Sequence, residues 1–433
     1  VADGGKRICV IGAGPCGLTA LKNLVQQGLT DIVCYELSDT TGGNWVFRPD
    51  PSHSSVYETT HIISSRKYSQ FEDFPMPENY PDFPSHAQML AYFRAYERHF
   101  DLTRFIRFCS RVDHVAPDAA GGYTVRITTD GQSREERFDA VLVCSGHHWD
   151  PYVPAYPGTF DGDQLHAHDY KSAAPFRDRR VLVVGGGNSA CDIAVETARV
   201  SAVTGISLRR GYWIIPKIVF GAPTDVLYAK LRRLPKRLRQ ILVGAGIRIA
   251  MGKWSKYGLE APQCRALEMH PTLNSDILNA LRHGTVHPFP GIARLDGGDI
   301  VFADGRRAGF DTLVWATGYR LSLPFFDPDF IDWRGATEVP LYLKMIPKDQ
   351  PGLFFIGLFQ PLGSIWPLAD HQAHIAARII AGKMAPPADL DRRIESETSH
   401  PHWNFEKTPR HAIEVDYQEF RADLLKALGS LSS

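Results

Sequence analysis

The sequence predicts an α/β protein built from two dinucleotide-binding units, the second inserted into the first. Three observations predict it. An apolar strand runs into the glycine turn Gly12-Ala-Gly-Pro-Cys-Gly17 and on into a helical pattern. The same succession returns at Gly185-Gly-Gly-Asn-Ser-Ala190. Two similar strand ends, Phe138-Asp-Ala-Val-Leu-Val-Cys-Ser-Gly-His147 and Phe310-Asp-Thr-Leu-Val-Trp-Ala-Thr-Gly-Tyr319, bracket the second turn. A glycine turn between strand and helix brings backbone N–H groups and the positive end of a helix dipole against a pyrophosphate, so both units read as Rossmann-like. The paired strand ends mark where the chain crosses between them. The expected boundaries are 1–168 for the first part of the first domain, 169–313 for the inserted domain and 314–433 for the return with C-terminal helices.

In the first turn Gly12 permits the sharp bend, Gly14 lets backbone approach a phosphate and Gly17 allows the helix to pack close on the strand. Pro15 and Cys16 open the helix, and Leu18, Leu21 and Leu24 follow at near-helical spacing. The next strand, Asp31-Ile-Val-Cys-Tyr-Glu36, ends in an acid where a carboxylate binds ribose hydroxyls. Thr41-Gly-Gly-Asn-Trp45 comes next. Its paired glycines, with Gly43 and Asn44, can lie along a cofactor while Trp45 supplies an apolar wall.

Two stretches, Ser55 to Lys67 and the aromatic, proline-rich Phe71 to Pro84, have no period and read as functional loops. Ser85 is the expected N-cap of the helix that follows. Cys109 to Val115, Tyr123 to Thr129 and Arg134 to Val143 alternate as antiparallel strands.

The second turn has the form G-x-G-x-x-A on Gly185, Gly187 and Ala190. The strand after it, Ala202 to Leu208, ends in Arg209-Arg210, as far past Ala190 as Glu36 is past Gly17. A carboxylate there would repel a 2′-phosphate; a guanidinium binds one by a charge-assisted fork. That favours NADPH over NADH. Between the two turns lies Phe160-Asp-Gly-Asp-Gln-Leu-His-Ala-His-Asp-Tyr170, of the form F-x-G-x-x-x-H-x-x-x-Y.

Length suits two domains, and 44% hydrophobic with 22% charged residues is ordinary for a globular protein. Lys+Arg and Asp+Glu cancel at 48 each, so nothing points to nucleic acid. Seven cysteines include no C-x-x-C pair, and Cys9, Cys16, Cys34, Cys144 and Cys191 read as small buried thiols in a reducing compartment. No apolar run reaches membrane-spanning length and Val1 to Arg7 does not read as a signal peptide, so a cytoplasmic protein is expected. A basic then apolar stretch, Lys230 to Met251, reads as a solvated helical insertion, a contact with an anionic membrane surface, or the cover of a neighbouring subunit's active site in a homodimer. His371 and His374 read as helix-surface histidines, and no metal site is expected.

Two dinucleotide turns joined by the Phe160–Tyr170 undecapeptide resemble the flavin-containing monooxygenases, class B flavoproteins of which this is identified as a bacterial-type member. The resemblance implies FAD, held non-covalently by the first domain, and NADPH on the second. It implies that Asn188 and Ser189 lie near flavin and nicotinamide, that Val112 and Gln372 contact FAD, and that His166 is hydrogen-bonded at the domain junction, where the undecapeptide links the domains. It also implies a helix opening at Gly363-Ser-Ile-Trp366 with its N-terminus toward the flavin, Asp370 and Gln372 matching the family's acid-x-Gln. The implied reaction passes hydride from NADPH to FAD, adds O2 at flavin C4a to give a hydroperoxide, and transfers oxygen to a soft amine or sulfide. In eukaryotic-type members the stretch beginning V-Y, here Val56-Tyr57, carries an Asn near the flavin, and Ile63 stands at that position. Two other activities fit the same frame: a Baeyer–Villiger oxygenase on ketones, whose undecapeptide typically ends in Trp where this chain has Tyr170, and an uncoupled NADPH oxidase.

Overall fold

The computed structural model describes residues 5–50, 52–232, 234–399 and 405–429. The chain forms two compact units, one of Val1–Val46, Ser64–His147 and Arg320–Ser433, the other of Phe47–Ile63 and His148–Tyr319.

In the first unit five parallel strands lie in the order Leu353–Phe355, Ala140–Val143, Ile8–Ile11, Ile32–Tyr35, Ile106–Arg107. The residues of Ile8–Ile11 and Ala140–Val143 are all buried, which is why these strands read as continuous apolar runs instead of alternating. The helices Pro15–Gln26 and Trp366–Ile380 pack together in this unit. Ser110–Pro117, Tyr123–Thr129 and Gln132–Phe138 form a separate antiparallel sheet. The stretch expected as one strand from Arg134 to Val143 is thus two strands in two sheets, broken at Asp139, whose carboxylate accepts the Arg7 N–H at 2.7 Å. Ser85 does cap His86–His99, in a capping box with Gln88.

The second unit repeats the design, with parallel strands in the order His287–Pro290, Val203–Leu208, Arg180–Val184, Thr312–Trp315, Asp163–His166. Its edge strand comes from the undecapeptide, so that motif does not link domains. Asp163–His166 pairs residue for residue with Thr312–Trp315, which places 148–168 in the inserted unit. The expected boundaries at 168 and 313 move to 147 and 319, and Phe47–Ile63 joins the second unit as well. Gly162 belongs to this packing, because a Cβ there would lie 2.5 Å from the Asp311 carbonyl oxygen. The helix Asp276–His283 is capped one residue earlier than its Ser275 suggests: the Asn274 side-chain oxygen accepts the Ile277 N–H at 2.8 Å.

Candidate dinucleotide sites

In the first unit the Ile8–Ile11 strand delivers Gly12 to the carboxyl edge of its sheet, at the switch point where the chain continues to one side and later returns on the other. Gly12 has φ +96°, and its N–H donates to the Tyr35 carbonyl at 2.8 Å. Gly17 has no room for a side chain: a Cβ would lie 1.9 Å from the Gly12 carbonyl oxygen. Gly14 is different. Its φ is −71°, and a Cβ would meet nothing nearer than the Gly43 Cα at 3.6 Å. What that Cβ would fill is the cradle over the first turn of Pro15–Gln26. This helix starts without a side-chain cap, so its leading N–H groups remain for a ligand, and Pro15 removes one donor at no cost. The residues present fit a pyrophosphate.

The Thr41–Trp45 loop closes the same cradle. Gly42 donates its N–H to the Ala13 carbonyl at 3.1 Å, and Gly43, at φ +53°, lies backbone to backbone against Gly14. The Thr41 hydroxyl donates to buried Glu97 at 2.5 Å, which fixes the loop on the His86–His99 helix. Trp45 meets Trp366 edge-on at 5.5 Å and Phe93 at 6.1 Å, leaving Asn44 and Trp45 half-buried. Glu36 is buried at the end of its strand. Its carboxylate accepts the Ala13 N–H at 2.6 Å and the Ser38 N–H at 2.8 Å, so it braces the glycine turn from behind.

The half-buried Cys16 thiol is pushed up to about 12 by burial and is no nucleophile at neutral pH. Gly357 packs on it, since a Cβ there would come 2.3 Å from the Cys16 sulfur. The Gln372 side-chain oxygen accepts the Gly357 N–H at 2.9 Å, and its NH2 donates to the Leu343 carbonyl at 2.8 Å. Fully buried, Gln372, the residue expected to contact FAD, holds the turn behind Cys16. Val112 sits on the antiparallel sheet opposite Ile127, packed against the core of the first unit. Asp370 accepts from the Thr19 hydroxyl, from the Asn23 NH2 at 2.7 Å and from Lys22 at 2.8 Å, and so ties Trp366–Ile380 to Pro15–Gln26. His371 is buried, not on the surface, with Glu72 at 3.5 Å.

The second unit holds the second turn. Gly185, at φ +136°, donates its N–H to the Ser207 carbonyl, and a Cβ would lie 2.2 Å from the Ala316 carbonyl oxygen. Gly187 is the uncapped N-cap of the helix Asn188–Thr197, with Ser189 exposed in its first turn. Asn188 is oriented: its side-chain oxygen accepts the Leu273 N–H at 2.8 Å, leaving its NH2 as the group to present. Arg209 and Arg210 stand at the end of the Val203–Leu208 strand, Arg209 exposed and Arg210 at 5.9 Å from the Tyr212 ring that packs over Gly186.

His166 is buried against Tyr319, and its Nδ1 accepts the His168 N–H at 3.0 Å. Burial lowers its pKa to about 4, so it is a neutral, hydrogen-bonded ring and not an acid or base at neutral pH. It lies within the second unit. Sequence reasoning missed Asp192, one helical turn after Asn188, which accepts from the Tyr57 hydroxyl at 2.7 Å and from the Asn274 NH2 at 2.6 Å. The signal was there: an acid at i+4 shares the helix face of Asn188.

Two five-stranded parallel sheets, each with a glycine turn after its central strand, one turn backed by a carboxylate and the other followed by arginines, define a protein that holds two different dinucleotides. The flavin-binding monooxygenase-like family matches residues 5–432. Human flavin-containing monooxygenase 5 is 33% identical over 98% of this chain and 83% of its own length. Rat dimethylaniline monooxygenase [N-oxide-forming] 2 is 34% identical over the same shares. Among solved structures, the S-allyl-L-cysteine S-oxygenase of Allium sativum has a TM-score of 0.73 at 23% identity, covering 99% of this chain and 89% of its own. A cyclohexanone monooxygenase has the same fold, TM-score 0.73 at 16% identity, over 98% of each chain. The chain belongs to the flavin-containing monooxygenase family. It is an FAD- and NADPH-dependent flavoprotein monooxygenase.

Proposed function

We propose that the enzyme oxygenates soft nitrogen or sulfur atoms of small amines and sulfides, holding FAD in the first unit and NADPH in the second. The match to dimethylaniline monooxygenase [N-oxide-forming] 2 over nearly the whole chain carries this reading, and the undecapeptide's ending in Tyr170 agrees with it. When bound, NADPH supplies hydride and FAD, once reduced, activates O2. The chain's own residues bind and orient. Gly12, Gly14, Pro15, Cys16 and Gly17 cradle the FAD pyrophosphate, Glu36 takes the ribose side, and Gly43, Asn44 and Trp45 line the other wall. Gly185, Gly187 and Ser189 cradle the NADPH pyrophosphate, Arg209 and Arg210 take the 2′-phosphate, and Asn188 presents its NH2 to the cofactor. No side-chain nucleophile is needed.

Products from a thioether, a tertiary amine and a cyclic ketone test the reading: sulfoxide and N-oxide are expected, and lactone without sulfoxide overturns it. Ile63 favours a second reading, an oxidase that releases H2O2, because its side chain has no hydrogen-bond donor. One H2O2 per NADPH in the presence of every amine and sulfide would establish that reading. All seven cysteines are free thiols, which supports a reducing cytoplasm, and among the described residues no helix is long and apolar enough to cross a membrane. A homodimer is part of the proposal. Leu238, Ile241, Leu242 and Ile249 form one exposed apolar face of the Lys236–Met251 helix that a second copy would cover, and sedimentation of Ile241→Glu against the parent checks it.

A further inference from the structure

The helix Asn188–Thr197 carries Asn188, Asp192 and Glu196 at intervals of four, one above another on a single face. Each has a partner from outside the helix. Asn188 accepts from the Leu273 N–H. Asp192 accepts from Asn274 and from the Tyr57 hydroxyl. Glu196 accepts from the Tyr170 hydroxyl at 2.8 Å. The two tyrosine rings meet edge to face at 5.5 Å. Tyr170 ends the undecapeptide, and Tyr57 lies on the segment that ends at Ile63. The two segments are also sewn to each other: Lys171 donates from Nζ to the Ser54 carbonyl at 2.6 Å, the Glu58 N–H donates to the Lys171 carbonyl at 2.9 Å, and His168 Nε2 lies 2.8 Å from the Ser52 carbonyl oxygen.

We propose that Asp192 and Glu196 are positioning residues of the NADPH site, which through Tyr57 and Tyr170 fasten the 52–63 segment to the helix whose first residue is Asn188. A role for the undecapeptide's last residue follows: its hydroxyl closes one of the two clamps. The inference rests on the reading of Asn188 as the residue that faces NADPH.

The clamp is proton-linked. Burial raises the Glu196 pKa to about 7, with Asp192 and Glu58 adding to the rise and the Tyr170 hydroxyl and Arg199 opposing it. Asp192 is raised too, by burial first, with Asp276 adding and Lys217, Tyr57 and Asn274 opposing. The closed clamp therefore holds a proton on Glu196 that the opened one gives up, so opening becomes easier as pH rises from about 4.5 to about 7 and levels off above that.

The test is amide hydrogen exchange of the 52–63 peptide in the FAD-loaded enzyme, corrected for intrinsic rates, alongside NADP+ titration, from about pH 5 to 8. Tyr57→Phe and Tyr170→Phe each raise exchange of this peptide about tenfold, the loss of one hydrogen bond to an acid, while distant peptides keep their protection. Glu196→Gln keeps an acceptor for Tyr170 but cannot titrate, so it retains low-pH protection and loses the rise between about pH 4.5 and 7. Unchanged exchange in both phenylalanine variants, or a pH step that survives in Glu196→Gln, overturns the proposal. Asn188→Ala and Arg209→Ala separate the two readings. If they leave NADP+ affinity intact, the cofactor assignment fails; if they lower it while the clamp variants change nothing, only the positioning role fails.

Discussion

The buried carboxylate of Glu36 accepts the backbone N–H of Ala13 at 2.6 Å, so the acid expected to face a ribose also pins the glycine turn that faces the phosphates. Glu36→Gln keeps the size and loses the charge-assisted bond. We expect FAD affinity to fall about tenfold to a hundredfold, from roughly 1.5–3 kcal/mol for a hydrogen bond to a charged group. The flavin-to-protein absorbance ratio after gel filtration, and flavin titration of the apoprotein, check it.

Gly14 and Gly17 separate cofactor binding from folding. A Cβ at Gly17 would strike the Gly12 carbonyl at 1.9 Å, whereas at Gly14 it meets only the Gly43 Cα at van der Waals distance. Gly17→Ala should destabilise the apoprotein by about 3 kcal/mol or more through forced backbone shifts. Gly14→Ala should change apoprotein stability by less than about 1 kcal/mol and still fail to retain FAD. Urea unfolding of the two apoproteins distinguishes them.

Arg209 and Arg210 occupy the strand end where the first site has an acid. Arg209→Ala should raise the KM for NADPH about tenfold or more, the loss of a charge-assisted contact, and leave the KM for NADH within about twofold. Steady-state rates with both nucleotides on the FAD-loaded enzyme decide it. An equal loss for both would show that Arg209 does not read the 2′-phosphate.

The glycine turns were legible because positive φ at Gly12 and Gly185 and the crowding at Gly17 demand a residue without a side chain, and that demand is local in sequence. Ser85 was legible for a similar reason, its capping partner lying three residues on. The undecapeptide was misread as a linker because its strand pairs with Thr312–Trp315, and a parallel partner so far along the chain leaves no mark on the segment itself. The place of Gln372 in the fold was hidden in the same way: its two partners lie 15 and 29 residues away, and nothing near it shows that its amide is engaged. Asp192 escaped notice because its importance comes from Tyr57, 135 positions distant.

Lys22 is almost wholly buried, with its ammonium 2.7 Å from Asp73 and 2.8 Å from Asp370. Removing it leaves the Asp370 carboxylate inside with only the Thr19 hydroxyl and the Asn23 amide for company. Lys22→Ala should cost about 3–5 kcal/mol, the range for breaking a buried pair on one side. Lys22→Met with Asp370→Leu should recover much of that loss, because the one carboxylate left without its lysine, Asp73, is 39% exposed to solvent. Denaturant midpoints of Lys22→Met, Asp370→Leu and the double variant, read as a cycle, measure the coupling.

Glu72 joins the loop after Ser69 to two helices: its carboxylate takes Arg421 at 2.5 Å and lies 3.5 Å from His371 Nε2. His371 and Arg421 pull its pKa from the ordinary 4.5 to about 2. A depressed carboxyl pKa means that the unfolded chain binds a proton the folded one refuses, so the stabilisation is complete above about pH 4.5 and drains away as pH falls toward 2. Half the side chain is exposed, so solvent screening keeps the effect small. Glu72→Gln should therefore melt below the parent at pH 7 by a few degrees at most, with the gap closing between about pH 4.5 and 2 and shrinking in high salt. Melting curves of both proteins across that range, at low and high ionic strength, carry the test; a gap that persists unchanged at pH 2.5 would show that the carboxylate's charge contributes nothing.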